Sequence, residues 1–440
     1  MFEWRAPLWR STPVLLATAI AVCAAPRPCA ALDLGGALVQ VAAANPTLAA
    51  RSAAVEAARR RASVAGAWAN PMVELGVVNV PTSGRFDTDM MTMKSVGVSQ
   101  RVPIFGANGL RRAAATEAGN AEASGAEQTA FDLFGQTWEA YADVFFSGEV
   151  ARHEEEHRAV MDRMVRTALA GYESGRGGHH DVLRAEAEQA RVLVDLEAFR
   201  AEESQARARL RVLMGLDPTI DRDTLAAPPV LDVPADPAPW LAVISPDHPR
   251  LRALAAESQG YAYSARAARR GAWPDLELRG MYGFRGRLDG ASVAQDDMFS
   301  ASVGLALPIF GGASGRAEGR VMDAMATARA RERDAAELAL RGDVLAAHAQ
   351  ALSAQRRIRL LADTVVVAQQ RALDASWSAY STGAEDLGQV LEDGHMFLAA
   401  EIALVRARQE LAHAQARLVS LTGRGDLFGV GMPQFKEEAR

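Results

Sequence analysis

The sequence predicts a mainly helical fold carrying four short β-strands, built as two copies of one structural repeat. Three observations predict it. Residue usage is rich in Ala, Arg, Glu and Leu while aromatics are only 6% of the chain, and those four residues are strong helix formers. No proline occurs between Pro103 and Pro218 or between Pro308 and Pro433, so no ring or missing N–H interrupts a helix there. Five short motifs also recur in the same order at an offset that drifts only from 203 to 208 residues.

The first 31 residues read as a secretory signal. Arg5 and Arg10 form a basic start, Val14 to Ala25 is a short apolar run, and Cys29-Ala30-Ala31 offers a cleavage site after Ala31. The apolar run is shorter than the ~20 residues a membrane-spanning helix needs. Lipidation at Cys23 is disfavoured by the bulky Val22 before it. Both cysteines, Cys23 and Cys29, fall in this segment, so the mature chain has no disulfide, thiolate metal site or cysteine nucleophile. The formal charge of −6 becomes −8 once residues 1–31, with three arginines against one glutamate, are removed. A mildly acidic chain of this kind lacks the basic footprint of a nucleic-acid binder. No later stretch has the length and apolarity of a membrane helix, so any membrane-embedded part must be strands closed into a barrel.

The duplication sets the boundaries. Asn45-Pro46-Thr47-Leu48 recurs as His248-Pro249-Arg250-Leu251, and Pro71, Glu74 and Leu75 recur as Pro274, Glu277 and Leu278. Val102-Pro103-Ile104-Phe105-Gly106 returns as Leu307-Pro308-Ile309-Phe310-Gly311. Tyr172, Gly175 and Val182-Leu183 return as Tyr380, Gly383 and Val390-Leu391, and Leu210, Leu213 and Gly215 as Leu418, Leu421 and Gly423. The first repeat spans 32–226 and the second 249–425; residues 227–248 are a Pro-rich linker and 426–440 a tail.

Each copy begins with a helix, expected over Leu34 to Trp68 and again over Pro249 to Trp273. Strands follow where apolar residues alternate with small or polar ones: Val73 to Val77, Ser95 to Ser99, Leu276 to Arg279 and Phe299 to Leu307. Runs of about 9–11 residues suit tilted strands crossing a bilayer, although a soluble sheet with one buried face alternates in the same way. Phe105 to Tyr172 then predicts a helix of ~100 Å if continuous. From Leu387 the spacing is close to seven. Val390, Phe397, Leu404, Leu411 and Leu418 form one stripe, and Leu391, Leu398, Val405, Ala412 and Val419 the next. Two adjacent stripes let one helix pack a partner on each side, as in a wall of helices.

These features together resemble the TolC-like outer-membrane efflux protein family. The resemblance is carried by the Asn45-Pro46 helix start, by Gln100-Arg101-Val102-Pro103-Ile104-Phe105-Gly106 after a strand, and by twin helix breaks. The breaks are Tyr172-Glu173-Ser174-Gly175 leading into Asp181-Val182-Leu183, and Tyr380-Ser381-Thr382-Gly383 leading into Val390-Leu391. It implies a homotrimer in which four strands per subunit close one membrane β-barrel and the long antiparallel helices form a periplasmic tunnel. It implies an outer-membrane channel subunit of a tripartite efflux or type I secretion system, serving as a passive conduit beside an inner-membrane transporter and a periplasmic adaptor. It also implies no enzyme activity, no cofactor and no metal. By the same resemblance the breaks lie at the periplasmic tips. Gly175, Arg176, Gly383 and Ala384 would dock the adaptor, and Asp181, Tyr380, Glu385, Gln389 and Glu392 would line the gate. Glu385 and Gln389 depart from the family pattern of an arginine and an acid, so Arg176, His179 or His180 would supply the closing bonds. An alternative, a structural coiled-coil or adhesion-type envelope protein, explains the heptads but not the paired strands.

Two further constellations have plainer readings. His153-Glu154-Glu155-Glu156-His157 fits the zinc-protease pattern H-E-x-x-H, but its repeat partner, Leu361 to Val365, lacks every ligand, so a solvated helix face is expected. Met90, Met91 and Met93, with His179-His180, carry soft donors suited to copper, silver or zinc. Strand-edge hydrophobes are the expected role of the methionines.

Overall fold

A computed structural model describes residues 31–86, 88–175, 177–220, 224–287, 290, 295–308, 311–423, 425–429, 431 and 433. Residues 1–30, which hold the expected secretory signal except Ala31 and both Cys23 and Cys29, lie outside the described residues, as do the tip residue Arg176, Ile309-Phe310 of the repeated motif, and residues 434–440 of the tail.

The first expected helix is two. Helix α1 (Leu34–Ala44) ends at Asn45, whose extended backbone (ψ 121°) starts α2 (Pro46–Ala65). Asn45 Oδ1 accepts the N–H groups of Thr47 (2.8 Å) and Leu48 (3.4 Å), capping α2 with Pro46 at its first position. The strands β1 (Met72–Val78) and β2 (Met93–Val102) come next, then α3 (Ala107–Glu173), 67 residues without a break. Helix α4 (His179–Leu213) runs back beside it.

Residues 227–248, expected as a linker, are packed into the wall. Around the short α5 (Ala238–Leu241), Val233, Trp240 and Ile244 are buried against α7 (Gly311–Leu360) and α9 (Leu387–Thr422). Gln415 donates to Leu231 O at 2.6 Å and His348 Nε2 lies 2.7 Å from Pro234 O. The second repeat opens with α6 (Pro249–Arg270), followed by β3 (Asp275–Arg285) and β4 (Met298–Ala306). Helix α7 passes through one π turn (Leu361–Val365) into α8 (Val366–Thr382), and α9 returns.

The four strands form one antiparallel sheet in the order β1-β2-β3-β4. β1 has seven residues, short of the expected 9–11, while β2, β3 and β4 have 10, 11 and 9. The helices make a strip: α2, α3, α6 and α7 pack in that order near the sheet, and α4, α3, α9 and α8 in that order toward the other end. Its core is midway. There α1 and the centre of α3, with Phe134, Trp138 and Tyr141 buried, meet Leu210, Ala416 and Val419. Tyr141 Oη lies 2.7 Å from Leu32 O and 2.6 Å from Ala226 O, clamping both ends of the first repeat. Among the described residues no helix is long and apolar enough to cross a membrane.

Candidate functional site

The sheet has two chemically distinct faces. Register pairs Val73 with Val98 and Leu75 with Val96, then Val98 with Gly280, Val96 with Tyr282 and Tyr282 with Phe299. Successive side chains alternate in direction, so one face carries Val73, Leu75, Val96, Val98, Leu278, Tyr282, Phe284, Phe299, Val303 and Leu305, all exposed. The aromatic members gather toward the β3–β4 turn. The opposite face is mostly small or polar, with Gly76, Ser95, Gly97, Ser99, Ser300, Ser302 and Gly304, and also carries Met72, Met93, Met281 and Met298. On it Arg279 lies 3.2 Å from Glu74 and 3.5 Å from Glu277. An exposed apolar face with aromatics at one end suits lipid, and a polar reverse suits water. Among the described residues no further strand pairs with either sheet edge, β1 or β4.

The far end of the strip is formed by two helix breaks. After α3, Gly175 adopts a left-handed conformation (φ +71°), and its N–H bonds Tyr172 O at 3.0 Å. After α8, Gly383 (φ +76°) does the same toward Tyr380 O at 3.0 Å, and Ala384 N–H reaches Ala379 O at 2.9 Å. Positive φ is what glycine supplies without a Cβ clash. Helix α9 is capped by Asp386, whose carboxylate accepts Gln389 N–H at 3.0 Å.

Of the expected gate residues, the structure brings two together. Asp181 accepts the Gly178 N–H at 3.0 Å, closing the first turn of α4, and lies 3.1 Å from His180 Nε2. Tyr380 packs on the cluster of Met161, Met164, Val182 and Leu387. Burial, and then the charge of Asp181, raise its phenol above the ordinary tyrosine value. Glu385, Gln389 and Glu392 are exposed and not joined to that pair; Gln389 donates to Asp393 at 3.1 Å. Gly175, Gly383 and Ala384 are exposed at the tips. Two residues escaped sequence reasoning. Arg184 of α4 lies over Gly388 of α9, its guanidinium occupying the space a Cβ would fill, beside the Asp386 carboxylate. The signal was Gly388 itself, the one position in the first turn of α9 without a side chain to exclude the guanidinium.

The H-E-x-x-H stretch is not a solvated face. Glu154 and His157 are buried where α3 meets α4 and α9, and His153 Nδ1 is 3.4 Å from Glu401. A helix touching partners on two sides has little solvated circumference left, so charged residues in mid-helix become buried. No group of three or more His, Cys, Asp or Glu side chains that could hold a metal ion stands together among the described residues.

The comparisons with known proteins agree with this geometry. The family model described as outer membrane efflux protein matches residues 37–216 and 244–424, one segment in each repeat. The outer membrane efflux protein BepC of Brucella suis is 26% identical over 409 residues, covering 92% of this chain and 89% of that protein. Among solved structures, the outer-membrane channel OprN superposes with a TM-score of 0.73 at 20% identity, covering 89% of this chain and 90% of that one. The outer membrane protein VceC of Vibrio cholerae superposes with a TM-score of 0.71 at 16% identity, covering 89% and 96%. With a family model matched across both repeats, the chain belongs to the outer membrane efflux protein family, a family of channels and not of enzymes.

Proposed function

We propose that this protein is the outer-membrane channel subunit of a tripartite efflux or type I secretion system. It works as a homotrimer, a passive conduit from periplasm to exterior that meets an inner-membrane transporter through a periplasmic adaptor. The observation that carries the reading is a shared incompleteness: the sheet ends in two unpaired strands, and the helix strip ends in α2 and α4 on one side and α7 and α8 on the other. Open strand edges are not tolerated in lipid. A head-to-tail ring of copies satisfies both edges at once. The apolar face then meets lipid, the polar face lines water, and the helices project into the periplasm.

In this reading the tips close the tunnel, with Asp181, Tyr380, Glu385, Gln389 and Glu392 around the constriction and Gly175, Arg176, Gly383 and Ala384 presented to the adaptor. Acidic side chains converging from symmetric copies favour multivalent cations. The test is single-channel conductance in a planar bilayer with a trivalent cation on the periplasmic side. The variant is Asp181→Asn with Glu392→Gln, which keeps an acceptor at the α4 cap while removing the charge. Conductance with weakened cation block is expected. Conductance and block equal to wild type would move the gate away from these residues, and no conductance from the wild type would sink the channel reading.

A further inference from the structure

One buried polar seam has no part in the sheet or the tips. Glu154 and His157 stand a turn apart on α3, 2% and 7% exposed. His157 Nε2 is buried with no hydrogen-bond partner among the described residues, and burial is the chief influence on the Glu154 carboxyl. The two face different neighbours. Glu154 turns toward α4, where Asp195 and Arg191 are the charged groups acting on it. His157 lies against α9, its ring centroid 5.7 Å from that of His395, whose Nε2 is 2.8 Å from Glu188 Oε2 of α4. On α3 itself His153 turns to Glu401 of α9, and Glu156 pairs with Arg152 at 2.6 Å. The stretch of the second repeat matching this level is the π turn, which buries no residue, so the duplication supplies no second copy of this buried pair.

A buried acid and a buried base respond to burial in opposite senses: the acid holds its proton longer, the base gives it up sooner. We propose that Glu154 and His157 form a pH-compensated seam, in which the strain of burying one group grows over the same range in which the strain of burying the other shrinks. The packing of α3 against α4 and α9 thereby stays even through the acid range, as suits a wall bathed by a compartment open to outside pH. Burial, reinforced by Asp195 and opposed by Arg191, lifts Glu154 from 4.5 to about 7. Burial, reinforced by His395 and opposed by Glu188, drops His157 from 6.5 to about 4.

The signs follow from linkage. Between pH 4.5 and 7 a water-opened seam releases the Glu154 proton before the closed seam does, so rising pH favours opening. Between pH 6.5 and 4 an opened seam protonates His157 before the closed one does, so falling pH favours opening. Where the ranges overlap the two slopes cancel.

The experiment is amide hydrogen exchange on the full-length protein in detergent, reading protection in 148–160 and 186–198 across pH 4 to 7.5. The readout is the ratio of each variant to wild type at each pH, which removes the intrinsic exchange rate and the other ion pairs. Glu154→Gln should gain protection relative to wild type as pH rises, and His157→Gln should gain it as pH falls, each on the order of a hundredfold across its range. Ratios that do not change with pH, or that slope in the same direction, overturn the proposal. If His157→Gln does not assemble, Glu154→Gln decides alone, and a pH-independent ratio for it overturns the proposal.

Discussion

At the residue scale, the clearest product of the duplication is a pair of caps made from different chemistry. Asn45 caps α2 and donates through Nδ2 to Leu213 O at 2.7 Å, tying the second helix of its repeat to the last. His248 repeats both contacts: its Nδ1 accepts Arg250 N–H at 3.3 Å, and its Nε2 meets Leu421 O at 3.1 Å. The amide of Asn45 does not titrate, whereas the imidazole of His248 does. Burial holds its pKa below the ordinary histidine value, with the Leu421 carbonyl opposing that shift. A depressed folded pKa means the folded state resists the proton that the unfolded chain accepts. Stability therefore falls as pH drops below the unfolded value near 6.5 and levels off once the folded pKa is passed. His248→Asn should keep the cap and remove this loss. In denaturant unfolding, the variant is expected to lose less stability than wild type between pH 6.5 and 5; equal losses would place the sensitivity elsewhere. The repeated Asn/His-Pro motif made these caps legible in sequence. The interior network was not. Asp143 accepts from His413 and Gln409, each at 2.7 Å, across 270 and 266 residues, and Glu202 holds Arg406 through two bonds of 2.7 and 2.8 Å. No local spacing encodes partners that meet only when α3, α4 and α9 pack.

At the scale of elements, length and type were readable because they are set by local chemistry. The absence of proline foretold α3 almost to the residue, and the stripe from Leu391 through Leu398, Val405, Ala412 and Val419 is buried at every position. The departures have local causes as well. Asn45-Pro46 is a stop and start signal, so the first expected helix divides there. The π turn at Leu361–Val365 carries neither glycine nor proline to announce it. The tip turns are the elements most open to test. Around Gly175 and Gly383 nothing stands within 4 Å of where a Cβ would be placed, so space is free and only the positive φ resists a side chain. Gly383→Val should weaken the α8–α9 turn by roughly 1–2 kcal/mol. Gly383→Asn, which tolerates a left-handed backbone better, should lose less. Limited proteolysis at the tip would rank wild type, Asn and Val in that order of resistance. Equal resistance of all three would mean the turn is held by its neighbours rather than by its own backbone.

For the whole molecule, alternation in the strands left two readings open, a membrane barrel or a soluble sheet with one buried face. The packing separates them. Among the described residues no helix covers the apolar face: Leu75, Phe299 and Val303 are 78%, 72% and 69% exposed. A soluble sheet would have buried that face, at about 25 cal/mol per Å² of apolar surface removed from water. Adjacent residues of β4 supply a paired test, because Val303 lies on the apolar face and Ser302 on the polar one at the same height. Val303→Arg places a guanidinium toward lipid, at about 2–4 kcal/mol near the midplane of a bilayer. Ser302→Arg places the same group toward the lumen, where water hydrates it. Both lie on an open edge strand, so disturbance of strand pairing between copies is common to the two. Heat-modifiable migration of outer-membrane fractions should show Val303→Arg depleted in the assembled form and Ser302→Arg assembling close to wild type. The reverse order, or equal loss in both, would mean that the exposed apolar face meets something other than lipid.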